Sequence, residues 1–383
     1  MFKSSRSGIS TVLLASATAL ALSACTDSVI GPGPTPPPHG DFAFVTTTDY
    51  TTGAASIVSA DTLLKAVKNV ASIHSDALSR FYDGRIYVLN RQGADNVQVI
   101  DPASSFQTLR QFSVGNGADP EDIVFLSRSR AFVSRYNEDQ LWIVDPNQGR
   151  RTGLIDFSWL ADADNVPEMA HMVKIDKRVF VAVQRLDRNT PFHDPVGTSY
   201  VAVFDATTEQ FIDAVPGALG VQAIALATAN PFGEMVYNAA SGKIWVPTVG
   251  YFGLNDGGLE LVDPVTLTTS GVVISEAQLG GDLTDVVPID ATHGAAIISD
   301  SNFNTLLVSF DLSAPASIDT IYAPGGFSLQ DAELSPDHRI FVSDRTAVLP
   351  GIRVFRADNH AQITTSPVDV GLPPADIEFV TGY

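Results

Sequence analysis

Apolar and polar residues alternate in short bursts along this chain, and one burst sets the pattern for the others. From Asp119 to Phe157 the sequence reads DPEDIVFL, RAFVSRY, QLWIVDP and RTGLIDF, with turn residues between the runs at Ser127–Arg130, Asn137–Asp139 and Pro146–Gly149. Each run alternates or is apolar throughout, and each is too short for a helix. Four strands in about 40 residues, joined by tight turns, predict one antiparallel blade.

The blade recurs. Its second and third strands return as IYVLN…NVQVIDP (Ile86 to Pro102), AFVSR…LWIVDP (Ala131 to Pro146) and VFVAV…YVAVFDA (Val179 to Ala206). They return again as IWVPT…LELVDP (Ile244 to Pro264), AAIIS…LLVSFDL (Ala295 to Leu312) and IFVSD…IRVFRA (Ile340 to Ala357). FAFVTTT…ASIVSAD (Phe42 to Asp61) is the first copy. Seven copies at about 45-residue spacing predict an all-β, seven-bladed β-propeller with four-stranded antiparallel blades. The first copy has no inner strand before it, whereas PADIEFV (Pro374 to Val380) resembles PEDIVFL (Pro120 to Leu126) and has no outer strands after it. The C-terminal strand is therefore expected to pair inside the first blade, closing the ring and hiding a sheet edge.

The run IYVLNRQGADNVQVIDP resembles the YVTN-type propeller repeat, clearly in blades two and three and more loosely elsewhere. That resemblance implies the propeller fold. For activity it implies mostly binding proteins of the cell envelope, with some lactonases and a group of surface lipoproteins that capture vitamin B12.

Ahead of the repeats, Lys3 and Arg6 precede an apolar run from Thr11 to Leu22 and then Leu22-Ser23-Ala24-Cys25. A basic start, a short apolar core and small residues before the cut are the marks of an export signal. Twelve apolar residues fall short of the roughly 20 that span a bilayer. Cys25 is the sole cysteine and sits at the cleavage point of a bacterial lipobox, so residues 1–24 read as a lipoprotein signal peptide and Cys25 as the lipidated residue. Acylation would leave no thiol for disulfides, haem attachment or zinc. Residues 25–40, ending GPGPTPPPHG, form a Pro/Gly-rich tether, and residues 41–383 form the propeller. The expected location is a bacterial membrane, on the periplasmic or outer surface, with the lipid as the membrane contact.

The chain carries a net charge of −20, and losing Lys3 and Arg6 with the signal takes it to −22. Nucleic acid is thereby excluded as a partner, because phosphate contacts need Lys and Arg.

Aligning the copies on the start of each inner strand brings Asp76, Asp122, His171, Gln222, Asp285, Asp331 and Asp376 to one mouth of the central channel. Crowded carboxylates repel one another, and a cation, raised pKa values or nearby Arg must relieve them. Asp122, His171, Asp285, Asp331 and Asp376 are the candidate metal ligands, with Asp331 and Asp376 as the leading pair. A divalent cation such as calcium suits the oxygen donors, and His171 tilts the choice towards a transition metal. Arg91, Arg135, Arg185 and Arg345 end second strands on the same face and are candidates to neutralise the ring. The long loops Arg185 to Ser199 and Val249 to Gly258 add Phe192, His193, Tyr251 and Phe252 as a candidate ligand wall. WLADADNVPE (Trp159 to Glu168) reaches that face but lacks the glycine and acidic spacing of a calcium loop.

HExxH, GxSxG, GxxxxGK[ST] and strand-linked dinucleotide motifs are all absent. His74, His293, His338 and His360 fall near turns of unrelated blades, as solvated surface would. The expectation is a lipid-anchored envelope protein that binds a small ligand, metal ion or metal complex without catalysis. The alternatives are a metal-assisted lactonase-type hydrolase, with a cation on Asp122, Asp285, Asp331 or Asp376, and a scaffold for an envelope protein partner.

Overall fold

The structure is a computed structural model and describes residues 40–382. The expected signal peptide, Cys25 and nearly all of the tether lie outside the described residues. Within them the chain is a seven-bladed propeller, with each sheet following the repeat predicted from the sequence. Blade 1 is Phe42–Thr48, Gly53–Ser59 and Ala66–Ile73, with Pro374–Val380 paired antiparallel along Phe42–Thr48 as its innermost strand. The ring is closed as expected. Ile377 and Val380 are buried there and Phe379 packs edge-on against Phe341 at 5.1 Å. At about 1.5–3 kcal/mol per buried apolar side chain, closure is a large fraction of the stability of a domain.

The inner strands of blades 2 to 7 are Ala77–Tyr82, Pro120–Ser127, Met169–Ile175, Val236–Asn238, Asp282–Pro288 and Leu329–Leu334. Period-2 alternation gives each sheet two apolar faces, and neighbouring blades bury them against each other. The result is seven separate cores, one per junction. Phe42, Phe44, Ile86 and Val88 fill the junction of blades 1 and 2, and Ala43, Val45, Phe341 and Val354 fill that of blades 7 and 1.

Two outer strands are irregular. Blade 4 ends in the two-residue strand Ile224–Ala225, and the outer edge of blade 7 reduces to bridges at Val368 and Gln362. Antiparallel order sends every loop between strands two and three, and every connection to the next blade, to one face of the ring. That face is called upper here, and the inner strands begin on it.

Candidate inner-strand ring and its carboxylates

The sheet register makes most ring carboxylates staples between blades. Ile123 and Phe125 point into the core shared with blade 2, so Asp122, one residue out of phase, faces blade 4. Its Oδ2 accepts the backbone N–H of Met172 at 2.7 Å, and its Oδ1 accepts that of Ile123 and the Nε of Arg80. Asp285 reaches from blade 6 to the N–H of Ala332 on blade 7 at 2.9 Å. Asp331 reaches from blade 7 to Ile377 at 2.7 Å, and Asp376 from blade 1 to the N–H and hydroxyl of Ser79 on blade 2. Each carboxylate thus satisfies an inner-strand donor that would otherwise be unpaired.

Two positions differ from the sequence alignment. The staple received by Ser79 makes Leu78, not Asp76, the ring residue of blade 2. Asp76 lies above it, paired with Arg91 at 2.8 Å. Gln222 sits beside the outer strand of blade 4 and bonds Asp213. The inner strand of blade 5 starts later, at Val236, and Glu234 stands two residues ahead of it.

Arg80 is the cation of the ring. Its guanidinium lies 2.9 Å from Asp122, 3.0 Å from Glu234 across the channel and 4.0 Å from Asp376. Burial pulls its pKa down, but those three groups and Glu378 carry it well above the usual range. Among the described residues Asp285 and Asp331 on the far arc have no ion pair, and the Glu333 carboxylate has neither an ion pair nor a hydrogen bond, although its backbone is paired in the sheet. Burial raises Asp285 and Glu234 to about 7 and Glu378 to about 8. Burial, reinforced by neighbouring carboxylates, drives Asp331 and Glu333 well above the carboxylate range. His171 is buried with no partner for Nδ1, and desolvation lowers its pKa to about 4, so it is neutral.

The Arg residues expected at the mouth are engaged elsewhere. Arg135 lies over Trp142 at 4.3 Å and bonds the carbonyls of Val114 and Gln140; a side chain at Gly115 would strike it at 2.7 Å. Arg185 bonds Thr198 O, and Arg345 bonds Pro374 O and stacks on Tyr50. They miss the ring because second-strand ends lie above it, where loop carbonyls are the nearer acceptors. Arg80 was hidden because its copy was aligned two residues early.

Among the described residues no three His, Cys, Asp or Glu side chains converge closely enough to hold a metal ion. The expected set of Asp122, His171, Asp285, Asp331 and Asp376 is spread around the ring by its stapling role, so the divalent cation expected there, such as calcium, finds no ready-made cage. What the far arc does offer is a cleft of about 320 Å³ between blades 5, 6 and 7, lined by Val236, Tyr237, Val287 and Glu333.

With this geometry in hand, comparison with solved structures supports the fold. A putative 6-phosphogluconolactonase from Bacteroides uniformis ATCC 8492 superposes with a TM-score of 0.56 at 13% identity, covering 89% of this chain and 100% of that one. Dihydro-heme d1 dehydrogenase NirN, in complex with DHE, has a TM-score of 0.56 at 12% identity, covering 89% and 76%. Apo AztD from Citrobacter koseri has 0.50 at 14%, covering 90% and 98%. No protein-family model matches the chain, and no curated protein does. At these identities the likeness is one of architecture.

The upper loops complete the picture. Tyr251 donates to Pro195 O at 3.3 Å, joining the two long loops, and Phe252 packs edge-on against Phe232. Phe192 is exposed beside His193, whose backbone is left-handed. Glu168 turns inward, fully buried, to Arg188 and the N–H of Leu186, with burial raising its pKa to about 7. Asp162 and Asp164 bond their own turn instead. On the lower face His293, His338 and His360, from separate turns, share a cleft of about 560 Å³ between blades 6 and 7. His293 there bonds Asp290 at 2.9 Å.

Proposed function

We propose that this chain is an exported, lipid-anchored binding protein of the cell envelope, of the YVTN-repeat kind, which holds a small cationic ligand in its channel and does not turn it over. The observation that carries the reading is the unneutralised arc of Asp285, Asp331 and Glu333, with Glu333 opening on the cleft beside Tyr237. An alkylammonium group would place its charge on Glu333 and Asp331. Its apolar body would lie on Val236, Val287 and the Tyr237 ring, which also attracts cations. A bare divalent ion needs several converging oxygens, so an organic cation fits this wall better. The metal-assisted lactonase reading has no specific observation in its favour. Cys25 and the leader before it support the anchor.

Protein purified from its own cells tests the ligand. A native mass spectrum is expected to show an organic cation retained by the wild type and absent from Asp331→Asn/Glu333→Gln. A bare polypeptide that also ignores added spermidine would overturn the reading. The anchor has its own check: Cys25→Ser is expected to wash off membranes in high salt, and retention in the pellet would count against lipidation.

A further inference from the structure

The two faces of the ring differ in what they leave uncovered. Each upper loop between strands two and three of blades 1, 4, 5, 6 and 7 exposes a large apolar side chain: Tyr50, Phe192, Tyr251, Phe303 and Leu349. Tyr50 is 74% exposed, Phe192 61% and Leu349 59%. Phe232 and Phe327 stand exposed in the connections into blades 5 and 7. Among the described residues the lower loops expose Leu63 and Val265, and the excursion between strands three and four of blade 4 exposes Val215, Leu219 and Val221, but none of them exposes an aromatic ring. Single exposed apolar residues are ordinary, but an aromatic rim confined to one face is not.

The same loops are acidic. They contain no Lys, and their Arg residues are committed to carbonyls, rings or partners such as Glu168. Asp49, Asp187 and Asp300 bond only within their own turns, at Thr52, Asn189 and Asn304. Those turn donors lower their pKa values, so they stay ionised with no cation in contact.

We propose that the upper face is a docking surface for another protein, whose contact patch combines apolar side chains with Lys or Arg. Charge complementarity selects the partner: a rim of apolar groups interleaved with free carboxylates pairs with apolar groups interleaved with cations. The span selects a polypeptide, because apolar groups on five blades lie too far apart for one small ligand to touch. A second copy of this chain would bring two acidic faces together. This inference does not rest on the channel ligand, since none of its residues lines that cleft.

The test uses the full lipidated chain in its own cells, with p-benzoylphenylalanine at Phe303 or Phe327, and at Val265 as the lower-face control. Aromatic replaces aromatic at both upper sites, and an unchanged melting temperature confirms the fold. The upper probes are expected to trap one protein, with the cross-link mapping to a segment where Lys or Arg neighbours apolar residues. The Val265 probe is expected to trap none. Asp49→Asn/Asp187→Asn/Asp300→Asn keeps the turn acceptors and is expected to cut trapping at least fivefold. A cross-link to lipid, to a second copy or to nothing would overturn the proposal. So would equal trapping from the lower face, or trapping indifferent to the three Asn substitutions. Loss of spermidine binding at the channel would leave these outcomes unchanged, so the two readings fail separately.

Discussion

Two arcs of the same ring solve the same electrostatic problem differently. Around Arg80, the carboxylates of Asp122, Glu234 and Asp376 share one guanidinium that spans the channel. Across from it, Asp285 and Asp331 use backbone N–H donors alone, and Glu333 has not even those. Their relief is protonation, because burial and mutual repulsion raise their pKa values. An ion pair holds its charge over a wide pH range. A protonated cluster waits for a cation. The first arc is built to hold blades together, and the second retains a capacity for positive charge that the chain itself does not fill.

The strongest way to break the comparison is to remove residues 374–383. That takes Asp376 from one arc and the N–H partner of Asp331 from the other, with the burial of Ile377 and Val380. The truncated chain is expected to lose cooperative unfolding, and a melting temperature within a few degrees of wild type would contradict ring closure.

Next in size is Asp122→Ala, which takes the nearest carboxylate from a buried guanidinium and strands the Met172 donor. A loss of about 3–5 kcal/mol is expected, or roughly 4–7 °C in melting temperature for a domain of this size, with little dependence on pH. Arg80→Met separates the mechanisms. Without the guanidinium the pKa values of Glu234 and Asp376 rise further above their unfolded values. Stability is therefore retained near pH 5 and lost as pH climbs towards 8. A variant equally weak at both pH values would mean that Arg80 acts by packing.

The smallest effect belongs to the far arc. Raised native pKa values contribute stability that is complete below the unfolded values near 4 and is lost as pH rises through about 7, the value of Asp285, and beyond. Wild type should accordingly melt lower at pH 8 than at pH 5. Asp331→Asn/Glu333→Gln should flatten that slope and melt about 2–4 °C higher at pH 8. An unchanged slope would show that these carboxyls are ionised throughout.

Much of this was legible in the residues. Strand periodicity and turn chemistry are local, so seven copies and the closing strand PADIEFV could be read directly. The ring needed register to a single residue, and two copies obscured it. In blade 5 the inner strand is only three residues long, and the irregular stretch 212–223 ahead of it drew the alignment to Gln222. Matching PFGEMV to PPADIEF would have found Glu234. In blade 2, aligning Phe81 with Phe125 and Phe379 places Arg80 beside Glu378, whereas the more conspicuous Asp76 led elsewhere. The stapling roles of Asp122, Asp285, Asp331 and Asp376 could not be read, because they depend on which N–H of the neighbouring blade lies opposite. Nor could the meeting of His293, His338 and His360, which join only when blades 6 and 7 pack.

The central claim is that the far arc takes up positive charge by giving up protons. Spermidine titrated into the ligand-stripped protein at pH 7, in two buffers of different ionisation enthalpy, measures both quantities together. Binding is expected to be accompanied by proton release, with both lost in Asp331→Asn/Glu333→Gln and both retained in Phe303→Ser. Absence of binding by the wild type, or binding with no proton release that survives the double substitution, would contradict it.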